Sequence, residues 1–133
     1  MASGIYNRLK ANLMNKEVDL EGDTINVSLY DNSHSFTATD TTYTTTNELA
    51  TAGGYTQGGQ ALAGKGVTEA STTKWDGTDL AWAAGTFTTY HAVIWDDTAA
   101  NSLICSIDFG GAQTVTAATF TIQWDAAGII TLA

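Results

Sequence analysis

The chain has 133 residues, 44% of them hydrophobic, with 14 acidic against 5 basic side chains and a net charge of −9. That length is one domain, able to bury roughly two thirds of the surface its unfolded chain exposes, so it needs no metal or disulfide to fold. The negative balance repels phosphate and argues against nucleic acid or an anionic membrane as partner, and a single cysteine excludes an intramolecular disulfide.

Proline is absent. Strand edges that proline often blunts must then be guarded by charge, bulges, covering loops or other subunits. The N-terminus lacks the long apolar core of a signal peptide, and no apolar run approaches the ~20 residues that cross a bilayer. Synthesis in a cytoplasm is the expectation.

In chain order, residues 5–14 read as a short amphipathic helix. Ile5, Leu9 and Leu13 recur at i, i+4, i+8 with Tyr6 beside them, and Ser3 is the candidate cap. Such a helix is marginal alone, so it is expected to pack on the sheet of its own chain or on a neighbouring one. An acidic segment from Glu17 to Asp23 leads into Thr24–Tyr30, whose alternation sends Ile25, Val27 and Leu29 to a core. Asp31-Asn32-Ser33 is a turn signal, and the Thr-rich stretch 36–46 reads as a solvent-facing strand or an extended loop. Thr45-Thr46-Asn47-Glu48 has the form of a capping box. It predicts one or two helical turns through Leu49, Ala50 and Ala52, stopped by Gly53-Gly54. Residues 60–68 read as a strand, Trp75 to Asp79 as a turn, and Leu80 and Trp82 as the start of a short strand.

The last third holds three strand-like runs, Thr86–Trp95, Ser102–Phe109 and Thr114–Trp124. Turn residues 96–101 and Gly110-Gly111 separate them, which predicts an antiparallel meander. In the first run Phe87, Thr89, His91, Val93 and Trp95 share one face and Tyr90, Ala92 and Ile94 the other. Two apolar faces predict a central strand. Asp125 to Gly128 turns into a last strand, Ile129 to Leu132. The sum is a mainly β single domain over 1–133, with residues 1–16 as a helical N-terminal segment. Its expected form is an antiparallel β-sandwich or jelly-roll-like barrel of about eight strands.

No constellation of chemistry emerges. His34 sits in a polar turn and reads as solvated; His91 sits mid-strand and reads as hydrogen-bonded. Cys105, in phase with Leu103 and Ile107, reads as a buried inert thiol. Two histidines and one cysteine give no zinc spacing, Asp96-Asp97 reads as a turn, and the glycine pairs lack the GK[ST] of a phosphate loop. No catalytic residue, cofactor or metal is expected. A small glycosidase stays open, because its two carboxylates are brought together by the fold and not by spacing. Trp95 and Trp124 end apolar faces and read as core, whereas Trp75 and Trp82 lie near turns and read as exposed. On that logic the candidate contact residues are Ile5, Tyr6, Leu9 and Leu13 in the N-terminal segment and Tyr55, Trp75 and Trp82 in the loops.

The run Asn47-Glu48-Leu49-Ala50 through Gly53-Gly54-Tyr55-Thr56-Gln57-Gly58-Gly59 resembles a family of small tailed-bacteriophage virion proteins. The order of later blocks does so too: Ala92-Val93-Ile94-Trp95-Asp96-Asp97-Thr98, then Ile107-Asp108-Phe109-Gly110, then Phe120 to Asp125 before Gly128-Ile129-Ile130. The resemblance runs from about residue 5 to the end. It implies a noncatalytic capsid decoration, or cement, protein that binds the outside of the head, bridges neighbouring copies of the major capsid protein and sits there as a homotrimer. A tail-fibre or head-fibre module that binds a host receptor or glycan is the alternative.

Overall fold

The computed structural model describes residues 3–133. These form β1 (Gly4–Ile5), α1 (Asn7–Met14), β2 (Ile25–Tyr30), β3 (Gln60–Ala61), β4 (Gly66–Thr68), β5 (Thr73–Asp76), β6 (Leu80–Asp96), β7 (Ser102–Ile122) and β8 (Ile130–Leu132). A five-stranded sheet runs β1-β7-β6-β2-β3 and a three-stranded sheet β4-β5-β8, with antiparallel pairing throughout. The protein is mainly β, with two antiparallel sheets and one short helix, in a sandwich-like arrangement that does not close into a barrel.

The expected meander is instead one long hairpin. Gly110-Gly111 does not turn the chain: β7 continues through it, and both halves pair with β6. His91 stands opposite Asp108 and Thr89 opposite Gln113, so residues 109–112 bulge across from Tyr90 alone. Gly110, at φ 80°, supplies the left-handed backbone such an excursion needs. These irregularities also change phase. Phe87 shares a number parity with Val93 and Trp95, yet it packs on the same core as Ala92 and Ile94. The register shift between Thr89 and His91 moves it there.

β6 is central, between β7 and β2, and both faces of its sheet are covered. The inner cluster gathers Ile25, Val27 and Leu29 with Ile94, Ile104 and Trp75. The outer cluster gathers Tyr6, Tyr30, Val93, Trp95 and Leu103 beneath Phe36 and Tyr43. Tyr43 stacks on Trp95 with ring centroids 4.0 Å apart, and the Trp95 indole N–H donates to Ser28 Oγ at 2.9 Å.

At the N-terminus Ile5 leaves the expected helix and pairs with Cys105 in β1. Ser3 is not the cap: its Oγ accepts the Asp108 N–H, while Tyr6 occupies the N-cap without a side-chain bond. The helix packs on its own chain, through Leu9. The strand expected over 60–68 divides between β3 and β4 in different sheets, and part of the turn expected from Trp75 onward is strand β5.

The capping-box helix does not form. Residues 49–52 are non-helical, and the buried Glu48 carboxylate is instead a hub. It accepts the Tyr43 hydroxyl, the Tyr55 hydroxyl at 2.5 Å and the Gly58 N–H at 2.7 Å. Tyr55 Oη in turn accepts the Leu29 N–H at 2.9 Å. Nearby, Gly59 crosses so close to β2 that a Cβ would stand 1.8 Å from the Val27 carbonyl oxygen, which excludes any side chain. Hydrogen bonds to a buried charge are worth about 1.5–3 kcal/mol each. A glutamine offers one acceptor in place of two and turns an NH2 donor toward these donors. E48Q is therefore expected to lose about 2–4 kcal/mol of stability, read from urea unfolding midpoints. A loss under ~0.5 kcal/mol would contradict the hub.

A second carboxyl contact ties the acidic segment to the turn end of the hairpin. Asp96 is fully enclosed at the end of β6, and its Oδ1 accepts the Ala99 N–H at 2.9 Å. As a carboxylate its Oδ2 has no donor; as a carboxylic acid it has the Asp23 side chain as partner. Burial first, then the Asp23 carboxyl, pushes the Asp96 pKa up to about 7. An unfolded Asp titrates near ~3.9. Between these values the unfolded chain releases a proton that the folded one keeps, so this contribution to stability is complete below about pH 4 and falls as pH rises to about 7. D96N is expected to be at least ~1 kcal/mol more stable than the parent at pH 8, with the gap closing by about pH 4 in thermal unfolding. A gap independent of pH would remove Asp96 as its source.

Candidate functional site

The seven predicted contact residues divide sharply. Tyr6, Leu9, Tyr55, Trp75 and Trp82 are buried, against the exposure expected of them; Ile5 is half-buried, and Leu13 is exposed. The reason is chemical. An aromatic side chain beside a turn goes inside when its polar atom finds a partner there. The Trp75 indole N–H donates to the Leu20 carbonyl at 2.9 Å, Tyr55 joins the Glu48 hub, and Trp82 packs on Phe120 with centroids 5.9 Å apart. Tyr6 packs against Phe36, with centroids 4.9 Å apart.

Four of the seven nevertheless meet. Ile5, Leu9, Leu13 and Trp75 line one groove of about 330 Å³ between α1 and the three-stranded sheet. Its floor is Leu9, Trp75 and Ile130, which belong to the inner core. Leu13, Val67 and Leu132 form its rim, at 39%, 45% and 60% exposure. Met14, next to Leu13, is 88% exposed. These four are the large hydrophobic side chains exposed among the described residues, and three of them, Leu13, Val67 and Leu132, line this groove. The groove is also lined by Lys10 and Lys74, and by no acidic side chain. Lys74 Nζ donates to the Ala126 carbonyl at 2.7 Å and lies 4.0 Å from Asp76 Oδ2. Among the described residues, Lys10 Nζ bonds Asn7 Oδ1 at 3.5 Å.

Val67 and Leu132 escape sequence reading. Each sits in a three-residue strand, too short for alternation to show a face. The groove exists because α1, the acidic segment with Leu20, β4, β5 and β8 leave space between them, which no local pattern encodes.

A second concavity, of about 500 Å³, lies over the outer cluster. Ser33, Thr39, Thr41 and Thr46 line it with His34 and Asp40. His34 is not solvated as expected. It is half-buried, with Nε2 3.0 Å from Ser106 Oγ and its ring 4.8 Å from Tyr30 and 5.0 Å from His91. Burial lowers the pKa of His34 and of His91, so both rings are neutral near pH 7. The Ser106–His34 distance matches a nucleophile and its base, but Ser106 is buried and does not line the concavity. Its hydroxyl also bonds Tyr6, whose own pKa burial pushes up to about 12. This contact pins the loop after β2 onto β7.

His91 Nδ1 lies 3.8 Å from Asp108 Oδ1. Cys105 is enclosed, and burial alone pushes its thiol up to about 12, far from a nucleophilic thiolate. Among the described residues no three His, Cys, Asp or Glu side chains converge where they could hold a metal ion, and no helix is long and apolar enough to cross a membrane. Comparison with protein-family models, curated proteins and solved structures finds no match to this chain.

Proposed function

We propose that the chain is a noncatalytic virion structural protein that decorates the outer surface of a tailed-phage capsid. It adheres to the shell, bridges neighbouring major capsid proteins and acts as a homotrimer, synthesised in the host cytoplasm and resident on the capsid exterior. The observation that carries this reading is the concentration of exposed apolar side chains at one groove of an otherwise strongly acidic body. An apolar opening that the chain does not fill is a surface for adhesion. One such contact is small, and three copies held together multiply it without any new chemistry. The polar interior agrees. Glu48, Asp96, His34 and Ser106 are each engaged in bonds that hold loops to sheets.

The hydroxyl-lined concavity favours a second reading, a tail-fibre or head-fibre module that binds a host glycan or receptor. Ser and Thr hydroxyls beside Asp40 and Asn47 offer the hydrogen bonds that sugars use.

The test is to mix the purified protein with heads that lack it and to sediment the heads at several salt concentrations. Saturable, stoichiometric retention is expected, and it should persist at ~0.5 M salt, where charge attraction between exposed groups is screened. A protein that stays in the supernatant, or a glycan array with clear hits and no head binding, would overturn the decoration reading.

A further inference from the structure

We propose that residues 32–37 form a strap that acidification lifts from the outer face of the larger sheet, with His34 and His91 as the groups that take up the protons. The inference stands apart from the adhesion reading and concerns the other cover of the sheet.

The strap is held by side chains more than by backbone. It begins after Asp31, whose N–H donates to the Asn47 carbonyl at 2.9 Å, and it ends before Ala38, whose carbonyl accepts the Asn7 N–H at 2.9 Å. Between those anchors, among the described residues, no backbone–backbone bond reaches another element. The Ser33 and His34 N–H groups turn back on Asp31, and the Thr37 carbonyl accepts from Asp40. Two rings seat the strap on the sheet. His34 Nε2 lies 3.0 Å from Ser106 Oγ with its ring against Tyr30 and His91, and Phe36 packs on Tyr6. A short segment with so few backbone bonds belongs to the low end of local stability, where small free energies move it.

His91 makes this seat sensitive to protons. It is 2% exposed, and its Nε2 has no partner. In the neutral tautomer that faces Asp108 the proton sits on Nδ1, 3.8 Å from Asp108 Oδ1, and Nε2 is a bare lone pair. Protonated, the ring must bury an Nε2–H that finds no acceptor, which carries the full cost of its desolvation. A charge on His34 adds repulsion across the 5.0 Å between the two ring centroids. Lifting the strap takes His34 out of this contact and admits water to Nε2, which relieves both costs.

Among the described residues the charged groups that face the two rings are Asp31 after β2, Asp40 in the loop and Asp108 on β7. These carboxylates favour charged rings, but burial outweighs them and holds both histidines below their ordinary value while the strap is closed. Burial raises the pKa of the neighbouring Tyr6 and Tyr30 phenols, which keep their protons throughout. A ring freed by opening titrates near ~6.5. The open form therefore binds protons more readily, so the strap is fully closed above that pH and opens progressively below it. Asp96 acts in the opposite sense, since its contribution to the fold grows as pH falls. The strap, and not the hairpin, is the acid-sensitive part.

The test is NMR of the full chain between about pH 8 and about pH 4.5, a range that spans histidine titration. It follows both histidine rings, the Phe36 ring and the methyls of Val27 and Ile94. The expected result is one midpoint shared by the two histidines and the Phe36 shift, with the inner-core methyls unmoved. The open form should be at least ~10-fold more populated at about pH 5 than at about pH 7, the factor that one unit of pKa between closed and open rings supplies. H34Q and H91Q keep a hydrogen-bonding side chain with no proton to gain, and each should hold Phe36 in place over the whole range. If the buried H91Q chain does not fold, H34Q carries the comparison. Phe36 fixed while both rings protonate, Phe36 moving alike in parent and variants, or loss of the Val27 and Ile94 signals at the same midpoint would overturn the switch.

Discussion

The long pairing of β6 with β7 is the constraint on which the other elements depend. It is the middle of the larger sheet: β2 takes its place on the free edge of β6, and β1 on that of β7. A sheet whose central strand is apolar on both faces must be covered twice. The inner face is covered by the small sheet and α1, the outer face by the loop that follows β2. Those two covers produce the apolar groove and the hydroxyl-lined concavity. The small sheet meets the helix incompletely and leaves the apolar groove; the loop arches over Tyr6 and Tyr30 and leaves the hydroxyl-lined one.

A loop from residue 31 to residue 59 with almost no regular structure needs a device to hold it, and Glu48 is that device. Its backbone bridges to Tyr30 while its carboxylate collects two tyrosine hydroxyls and a backbone N–H. The arrangement gives a buried charge its donors without a cation, in a chain with few cations to spare. Asp96 solves the same problem differently, by keeping its proton beside Asp23. Both solutions use acidic groups as fasteners.

Much of the architecture was legible wherever a pattern repeats at short range. The alternation of Ile25, Val27 and Leu29, the two apolar faces around Ala92–Trp95 and the shared face of Phe120 and Ile122 all correspond to buried strands. Legibility failed where two readings share one sequence. Thr45 to Glu48 has the residues of a capping box, but Tyr43 and Tyr55 draw the Glu48 side chain inward, and nothing in their spacing announces it. Gly110-Gly111 suits a turn and a bulge equally, and the pairing of both halves of β7 with one strand decides for the bulge. The contact residues show the same limit. The sequence offered Leu9 and Leu13 on one helical segment and Trp75 in a loop far along the chain. The fold buries two of them as a floor and adds Val67 and Leu132 as a rim, from strands three residues long.

The central claim is that the groove is the surface of adhesion, and its most direct test is whether it closes when the protein is on a head. Cys105 is enclosed and its thiol is pushed up to about 12, so a cysteine placed at the rim is a clean reporter. Val67→Cys should react with a maleimide freely in solution and at least ~10-fold more slowly on saturated heads. Thr114→Cys, at an exposed position of β7, should react alike in both states. Equal labelling of the Val67→Cys protein free and head-bound would show that the protein adheres by some other face.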